Sequence, residues 1–163
     1  MILLHQIGNV KGNSNFNTIE QIKACKDSLS FDGIYESVLH HVDDLVGKDI
    51  ILFFSGEHLG KDNSFDKDQP LTKFCDIDQV LWLQKKLNCK LGYHSYSHRD
   101  LSTLNESELI NEINPPMSLD LFAYPYGRYN DLVINLLKEF GYKDAWSVTQ
   151  GDDTPFKRKR RYL

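Results

Sequence analysis

The sequence predicts an α/β domain in which short buried strands alternate with amphipathic helices around a mostly parallel sheet, open or closed into a barrel. Three observations carry this expectation. Apolar runs of strand length recur along the chain, and helical periodicity fills the gaps between them. Polar clusters follow several of the runs directly, where parallel folds gather their sites.

The strand candidates are MILL at 1–4, SLSF at 28–31, IILFF at 50–54, KLGY at 90–93 and LDLFAY at 119–124. Between the second and third, Ile34, Val38, Val42 and Leu45 recur at helical spacing and make one apolar face. A second helix over 78–87 carries Val80, Leu81, Trp82, Leu83 and Leu87. A third has a marked start: Asn105 is placed to cap it, Glu108 stands at the capping-box position, and Leu104 and Leu109 are spaced as a hydrophobic staple. The fourth runs from about Asn130 with Val133, Leu136, Leu137 and Phe140 on one face, and Gly141 ends it. No linker or repeat divides the chain, so residues 1–163 read as a single domain, long enough to bury about two thirds of its unfolded surface.

Composition narrows the functional classes. Forty per cent apolar and 26% charged residues are ordinary for a soluble globular protein. A net charge of −4 gives no electrostatic reason to expect nucleic acid or an anionic membrane. No apolar stretch reaches the roughly 20 residues of a membrane span, and MILLHQIGNV lacks the basic start of a signal peptide. Cys25, Cys75 and Cys89 are odd in number and widely spaced, which suits small hydrophobes in a reducing compartment. The expected location is cytoplasmic. The basic run KRKRR at 157–161 reads as a solvated tail. Oligomeric state has no signature in the sequence.

Three polar clusters follow predicted strands: SFDGIYES with Asp32, HSYSH with His94 and His98, and FAYPYGRYN, where Pro125 and Gly127 shape a turn around Tyr126. A parallel sheet brings all of them to one edge, and His5, after the first run, joins them there. The His-x3-His spacing sets two imidazoles on one face of a helical turn, as zinc ligation at about 2.0–2.1 Å requires. Each feature also has a plainer reading: a surface histidine pair, a helix cap at Asp32, a simple turn at YPYG, a core histidine at position 5.

LSFDGIYESV, GYHSYSHRDLSTL and FAYPYGRYN, in that order, resemble the signature motifs of the polysaccharide deacetylases, carbohydrate esterase family 4. PLT before the 78–87 helix, ELINEI after the second motif and GYKDAWSVTQG near the end extend the likeness over nearly the whole chain. The resemblance implies a deformed (β/α) barrel, in a compact version, that removes acetyl groups from N-acetylated sugars or glycans with one divalent metal, often zinc. It assigns metal ligation to His94 and His98 and an oxyanion-binding backbone N–H to Tyr126, with Tyr124 and Pro125 of the same turn as candidate substrate contacts. The chain has no histidine beyond His98 to act as general acid. In a circularly permuted branch, which resembles poly-N-acetylglucosamine de-N-acetylases, an N-terminal segment similar to LLHQIG supplies it, so His5 is the candidate acid.

Two departures stand out. The first motif normally reads Thr-Phe-Asp-Asp-Gly, its aspartates serving as base and third metal ligand. Here an ungapped comparison leaves Asp32 as base and puts Gly33 in the ligand's place, whereas a one-residue gap leaves Asp32 to serve either role. Ala123 stands where many members carry an arginine that orients the base. Glu57 and His58 are the nearest substitutes for the lost ligand. The expectation is therefore a site of weakened metal affinity, or a catalytically degenerate protein that keeps the fold to bind a carbohydrate or partner.

Overall fold

The backbone realises the alternation as a ring of parallel strands wrapped by helices. The computed structural model describes residues 1–148 and 150–163. In chain order the elements are β1 (Ile2–Leu4), β2 (Gln6–Ile7), β3 (Phe16–Asn17), α1 (Ile19–Ala24), β4 (Leu29–Asp32), α2 (Glu36–His40), α3 (Val42–Leu45), β5 (Ile50–Phe54), α4 (Ile77–Leu87), β6 (Lys90–Tyr93), α5 (Glu106–Ile113), β7 (Leu121–Ala123), α6 (Asp131–Glu139), β8 (Asp144–Ser147), β9 (Arg158–Lys159) and β10 (Arg161–Tyr162). The main sheet has the order β10-β1-β4-β5-β6-β7-β8-β9, every neighbouring pair parallel. Among the described residues, no helix is long and apolar enough to cross a membrane.

The sheet's two ends are the same piece of chain. Arg158 and Lys159 pair with Trp146 and Ser147 of β8, and Arg161 and Tyr162 pair with Ile2 and Leu3 of β1. Only Arg160 separates them, and its own N–H bonds the Ser147 carbonyl at 3.0 Å. The final segment thus bridges β8 to β1 and leaves a nearly closed barrel of the deformed (β/α) type. This overturns the solvated-tail reading of the basic run. Strand alternation turns Lys159 and Arg161 toward solvent; Arg158, on the other face, pairs with Asp144 at 2.8 Å, and Arg160 points into the barrel and is 1% exposed.

Two apolar clusters hold the barrel. The larger lies between sheet and helices, with Ile2, Leu4, Leu29 and Phe31 facing Val38, Leu45, Val80, Leu83, Leu109 and Leu137. The smaller fills the interior: Ile51, Phe53 and Ala123, with Met1, Leu121 and Trp146 against them. Gly92 is the β6 residue turned inward, and the Phe53 ring occupies the room its missing side chain leaves.

The helix starts follow from capping. Asn105–Glu108 and Asp76–Gln79 both form reciprocal capping boxes, and Asn130 accepts from Val133 N–H. Gly141 takes φ +87, as its stop signal requires. The apolar face running from Ile34 to Leu45 is split into α2 and α3 at His41. Asp32 does not cap it; Tyr35 stands at that N-cap and Asp32 ends β4. The segment β8, with only Ala145 and Trp146 as apolar residues, carries too little periodicity to be read as a strand from sequence.

A methyl group at position 92 would collide with the Phe53 ring and stand 2.9 Å from the Leu121 carbonyl oxygen. Gly92→Ala is therefore expected to lower the unfolding free energy by about 1–3 kcal/mol, measured by urea denaturation at neutral pH.

Candidate active site

The carboxyl ends of the strands meet at one cavity of about 270 Å³. His5 follows β1, Asp32 ends β4 with Gly33 behind it, Ser55 follows β5, His94 and His98 follow β6, and Tyr124, Tyr126 and Gly127 follow β7. Tyr162 of β10 completes the ring. Four chain segments distant in sequence thus place Asp32, His5, His94, His98 and Tyr126 together. Pro125 is buried in the turn and is not among the residues lining the cavity. Tyr124 lines it, but its hydroxyl donates to the Phe156 carbonyl at 2.9 Å.

Asp32 is held from below by Arg160. The guanidinium donates from Nη1 to Oδ1 at 2.5 Å and from Nη2 to Oδ2 at 2.8 Å, a bidentate fork in the barrel interior. Nη1 also reaches Ser30 Oγ at 3.2 Å, and the group lies over the Phe53 ring. Burial alone would raise the Asp32 pKa, but Arg160, His94 and His5 outweigh it and hold the carboxyl down at about 2. The arginine that the family's third motif usually supplies has its place taken by Ala123; here a guanidinium reaches the same kind of carboxylate from the closing strand.

His94 has one nitrogen committed and one available. Its Nδ1 lies 2.8 Å from the Ala123 carbonyl oxygen. A carbonyl only accepts, so Nδ1 carries the proton, and burial keeps the ring neutral by lowering its pKa. The lone pair then sits on Nε2, 3.6 Å from Asp32 Oδ2. His98 packs edge-on against His94, ring centroids 4.8 Å apart, and burial pushes its pKa down to about 3. His5 has its Nδ1 buried without a partner, and burial lowers its pKa too.

The histidine loop is not the helical turn that the spacing suggests. Ser95 and His98 both adopt left-handed backbone, with φ of 63° and 60°. Hydrogen bonds fix this conformation: Ser95 Oγ accepts from His98 N–H at 3.0 Å, and Ser55 Oγ donates to the His94 carbonyl at 2.9 Å. Glu112 of α5, almost fully buried, accepts from Ser97 N–H at 2.9 Å and from the Ser97 hydroxyl, while its carbonyl accepts from Tyr96 N–H. The loop is therefore positioned by a carboxylate from the next helix, which spacing alone could not reveal.

After β7 the chain turns sharply. Tyr126 is left-handed at φ 56°, with its side chain exposed, and Gly127 follows at φ 69°. A Cβ at Gly127 would stand 2.7 Å from Val148 N, so the turn can press this closely on β8 only with glycine there. Tyr126 lines the cavity, its ring beside that of His98 at 4.8 Å between centroids.

Two neutral imidazoles and a carboxylate are the donor types that zinc takes, and the Nδ1 bond that orients His94 is the outer-shell contact metal-bound histidines use. A third donor independent of Arg160 is missing. Gly33 offers no side chain, Glu57 sits beside Lys61 at 3.7 Å and does not line the cavity, and His58 lines it but packs against Phe65 and Phe74, its ring centroid 6.4 Å from that of His98. No group of three or more His, Cys, Asp and Glu is assembled to hold a metal among the described residues. His94 and His98, with Asp32 beside them, are the side chains that would hold a cation here.

The profile of the family described as polysaccharide deacetylase matches residues 28–145, most of the chain, and the protein belongs to that family. No curated protein matches it. Among solved structures it is similar to the deacetylase PplD of Streptococcus pyogenes, determined in complex with acetate, at 13% identity, covering 99% of this chain and 89% of that one with a TM-score of 0.71. It is also similar to IcaB from Ammonifex degensii, at 12% identity over 99% and 90% of the two chains, TM-score 0.67. A de-N-acetylase from Aggregatibacter actinomycetemcomitans gives 14% identity over 99% and 92%, TM-score 0.64. At these identities the structures show a shared fold, and the family match supports a carbohydrate deacetylase.

Two outcomes follow for stability. Arg160→Met leaves Asp32 buried without its partner and is expected to lower the unfolding free energy by about 3–5 kcal/mol, read by chemical denaturation at pH 7. The histidines add an acid limb. Unfolded His98 takes up its proton near pH 6.5 and folded His98 only near about 3, so the unfolded chain binds more protons between those values. Stability falls as pH drops through that window, and His98→Gln flattens the fall; urea midpoints from pH 7 to 4 in zinc-free buffer measure it.

Proposed function

We propose that this chain hydrolyses the acetamido group of an N-acetylated sugar or glycan at the cavity described above, with the help of an exchangeable divalent cation, zinc first among candidates. The observation that carries this reading is the convergence of Asp32, His94, His98, His5 and the Tyr126 turn on one cavity at the barrel's carboxyl rim. The lining contains Asp32 and Asp66 and no lysine or arginine among the described residues, so a neutral sugar suits it better than a phosphorylated one. Tyr35, Phe65, Phe74, Tyr126 and Tyr162 supply apolar walls against which a sugar ring and an acetyl methyl can rest.

The roles follow from the ionisation states. Asp32, ionised at neutral pH and aimed by Arg160, orients the attacking water and accepts its proton. A carboxylate held at about 2 is a weak base; acidifying that water and polarising the acetyl oxygen is the chemistry a cation on His94 and His98 supplies when bound. In this reading the Tyr126 N–H, in the left-handed turn, stabilises the developing oxyanion. His5, kept neutral by burial and with an Nδ1 that has no protein partner, takes up the proton that Asp32 removes from the water and passes it to the departing amine nitrogen.

A second reading has its own support: Gly33 in the ligand's place and the closed Arg160–Asp32 fork favour a protein that binds the sugar without turnover. Acetate release from N-acetylglucosamine oligomers, with and without Zn²⁺ or Co²⁺, separates the two. The hydrolytic reading expects metal-stimulated release that His94→Ala abolishes and that His5→Ala reduces by about 10²–10⁴-fold. Saturable oligomer binding with no release under any metal establishes the second reading instead.

A further inference from the structure

Gly33 is the residue after Asp32, and it lines the cavity with φ +65. A Cβ built there would stand 3.0 Å from Phe74 Cε1 and 3.5 Å from Tyr35 Cε2. Two obstacles meet there: the left-handed backbone strains any side chain, aspartate less than most, and the Phe74 ring would have to give way.

That ring cannot step aside easily. Residues 73–75 run antiparallel to 34–36: Tyr35 and Phe74 form a bridge, Glu36 N–H bonds the Lys73 carbonyl at 2.9 Å, and Cys75 N–H bonds the Ile34 carbonyl at 2.8 Å. On the other side Phe74 N–H bonds the Lys61 carbonyl at 2.8 Å. The Phe74 ring stacks on Tyr35 at 4.2 Å and on His58 at 5.2 Å, and His58 in turn stacks on Phe65 at 4.6 Å. Phe74 is 4% exposed. A carboxylate growing from position 33 would begin against a wall of stacked rings, where an anion is poorly solvated.

We propose that Phe74 bars a third cation ligand from this site: its ring occupies the room that a side chain at position 33 needs, so the loss of that ligand is fixed by packing and not by one residue alone. The inference rests on the reading of His94 and His98 as cation donors. Asp32 is a poor replacement, since the Arg160 fork takes a lone pair on each of its oxygens and shares its charge. The aromatic wall and the two-imidazole site are then one design, in which apolar surface for the sugar has replaced an anionic ligand for the metal.

Zinc affinity of the purified chain and its variants, by competition with a chromogenic chelator, tests this without recourse to turnover. The native protein and Phe74→Ala are expected to bind zinc weakly and alike. Gly33→Asp alone is expected to stay close to them, whereas Gly33→Asp with Phe74→Ala gains about 10–100-fold in affinity, a gain that His94→Ala removes. Gly33→Asp with Phe74→Leu keeps more of the packing and serves if the alanine variant unfolds. Tight binding by the native chain, an equal gain from Gly33→Asp alone, or no gain in a folded double variant overturns the proposal. Absence of acetate release from the native chain at saturating zinc counts against the hydrolytic reading only, leaving the barrier at Phe74 standing.

Discussion

The bidentate contact between Asp32 and Arg160 ties the first motif strand to the last segment of the chain, and much of the structure depends on it. Two full charges are buried together in the barrel interior, where either one alone would be strongly disfavoured. Such a pair adds little net stability over an apolar substitute, but it specifies geometry. A register slip of one residue in the 158–162 stretch would turn Arg160 outward and leave Asp32 uncompensated, so the ion pair fixes how the chain end bridges β8 and β1. The same contact sets the charge and direction of the carboxylate that faces His94. Closure of the barrel and preparation of the site are a single event.

Around that pair the cavity is built from groups kept neutral by burial. His94, His98 and His5 all have lowered pKa values because desolvation penalises their charged forms, and the Asp32 charge only partly offsets it. Neutral imidazoles are ready to donate lone pairs, and the carbonyl of Ala123 decides which nitrogen of His94 does so. In the proposed function, weak cation retention and sugar recognition are compatible, since the stacked rings of Tyr35, Phe74, His58 and Phe65 provide a wall that no metal is needed to organise.

The fold was largely legible in the sequence because its core elements obey simple rules. IILFF and KLGY coincide with β5 and β6, and the Asn105–Glu108 box marks the start of α5 as its chemistry demands. What escaped were elements whose signals are not local. The run KRKRR looks solvated by composition, and only the need for one more strand between β8 and β1 reveals that Arg160 belongs inside. The histidine spacing suggested a helical turn, whereas Ser55, Ser95 and Glu112 hold a loop that achieves the same convergence by tertiary contacts. Phe74 gave no signal at all, because its meaning lies in its distance from Gly33.

The most direct test of the account is the protonation of Asp32 itself, followed through its carboxyl carbon by NMR on selectively labelled, zinc-free protein. If the Arg160 fork organises both barrel and site, the resonance stays that of an ionised carboxylate until the pH approaches about 2. A midpoint at or above the ordinary 3.8 would mean that the guanidinium does not hold the carboxylate, and the link between closure and chemistry would be lost.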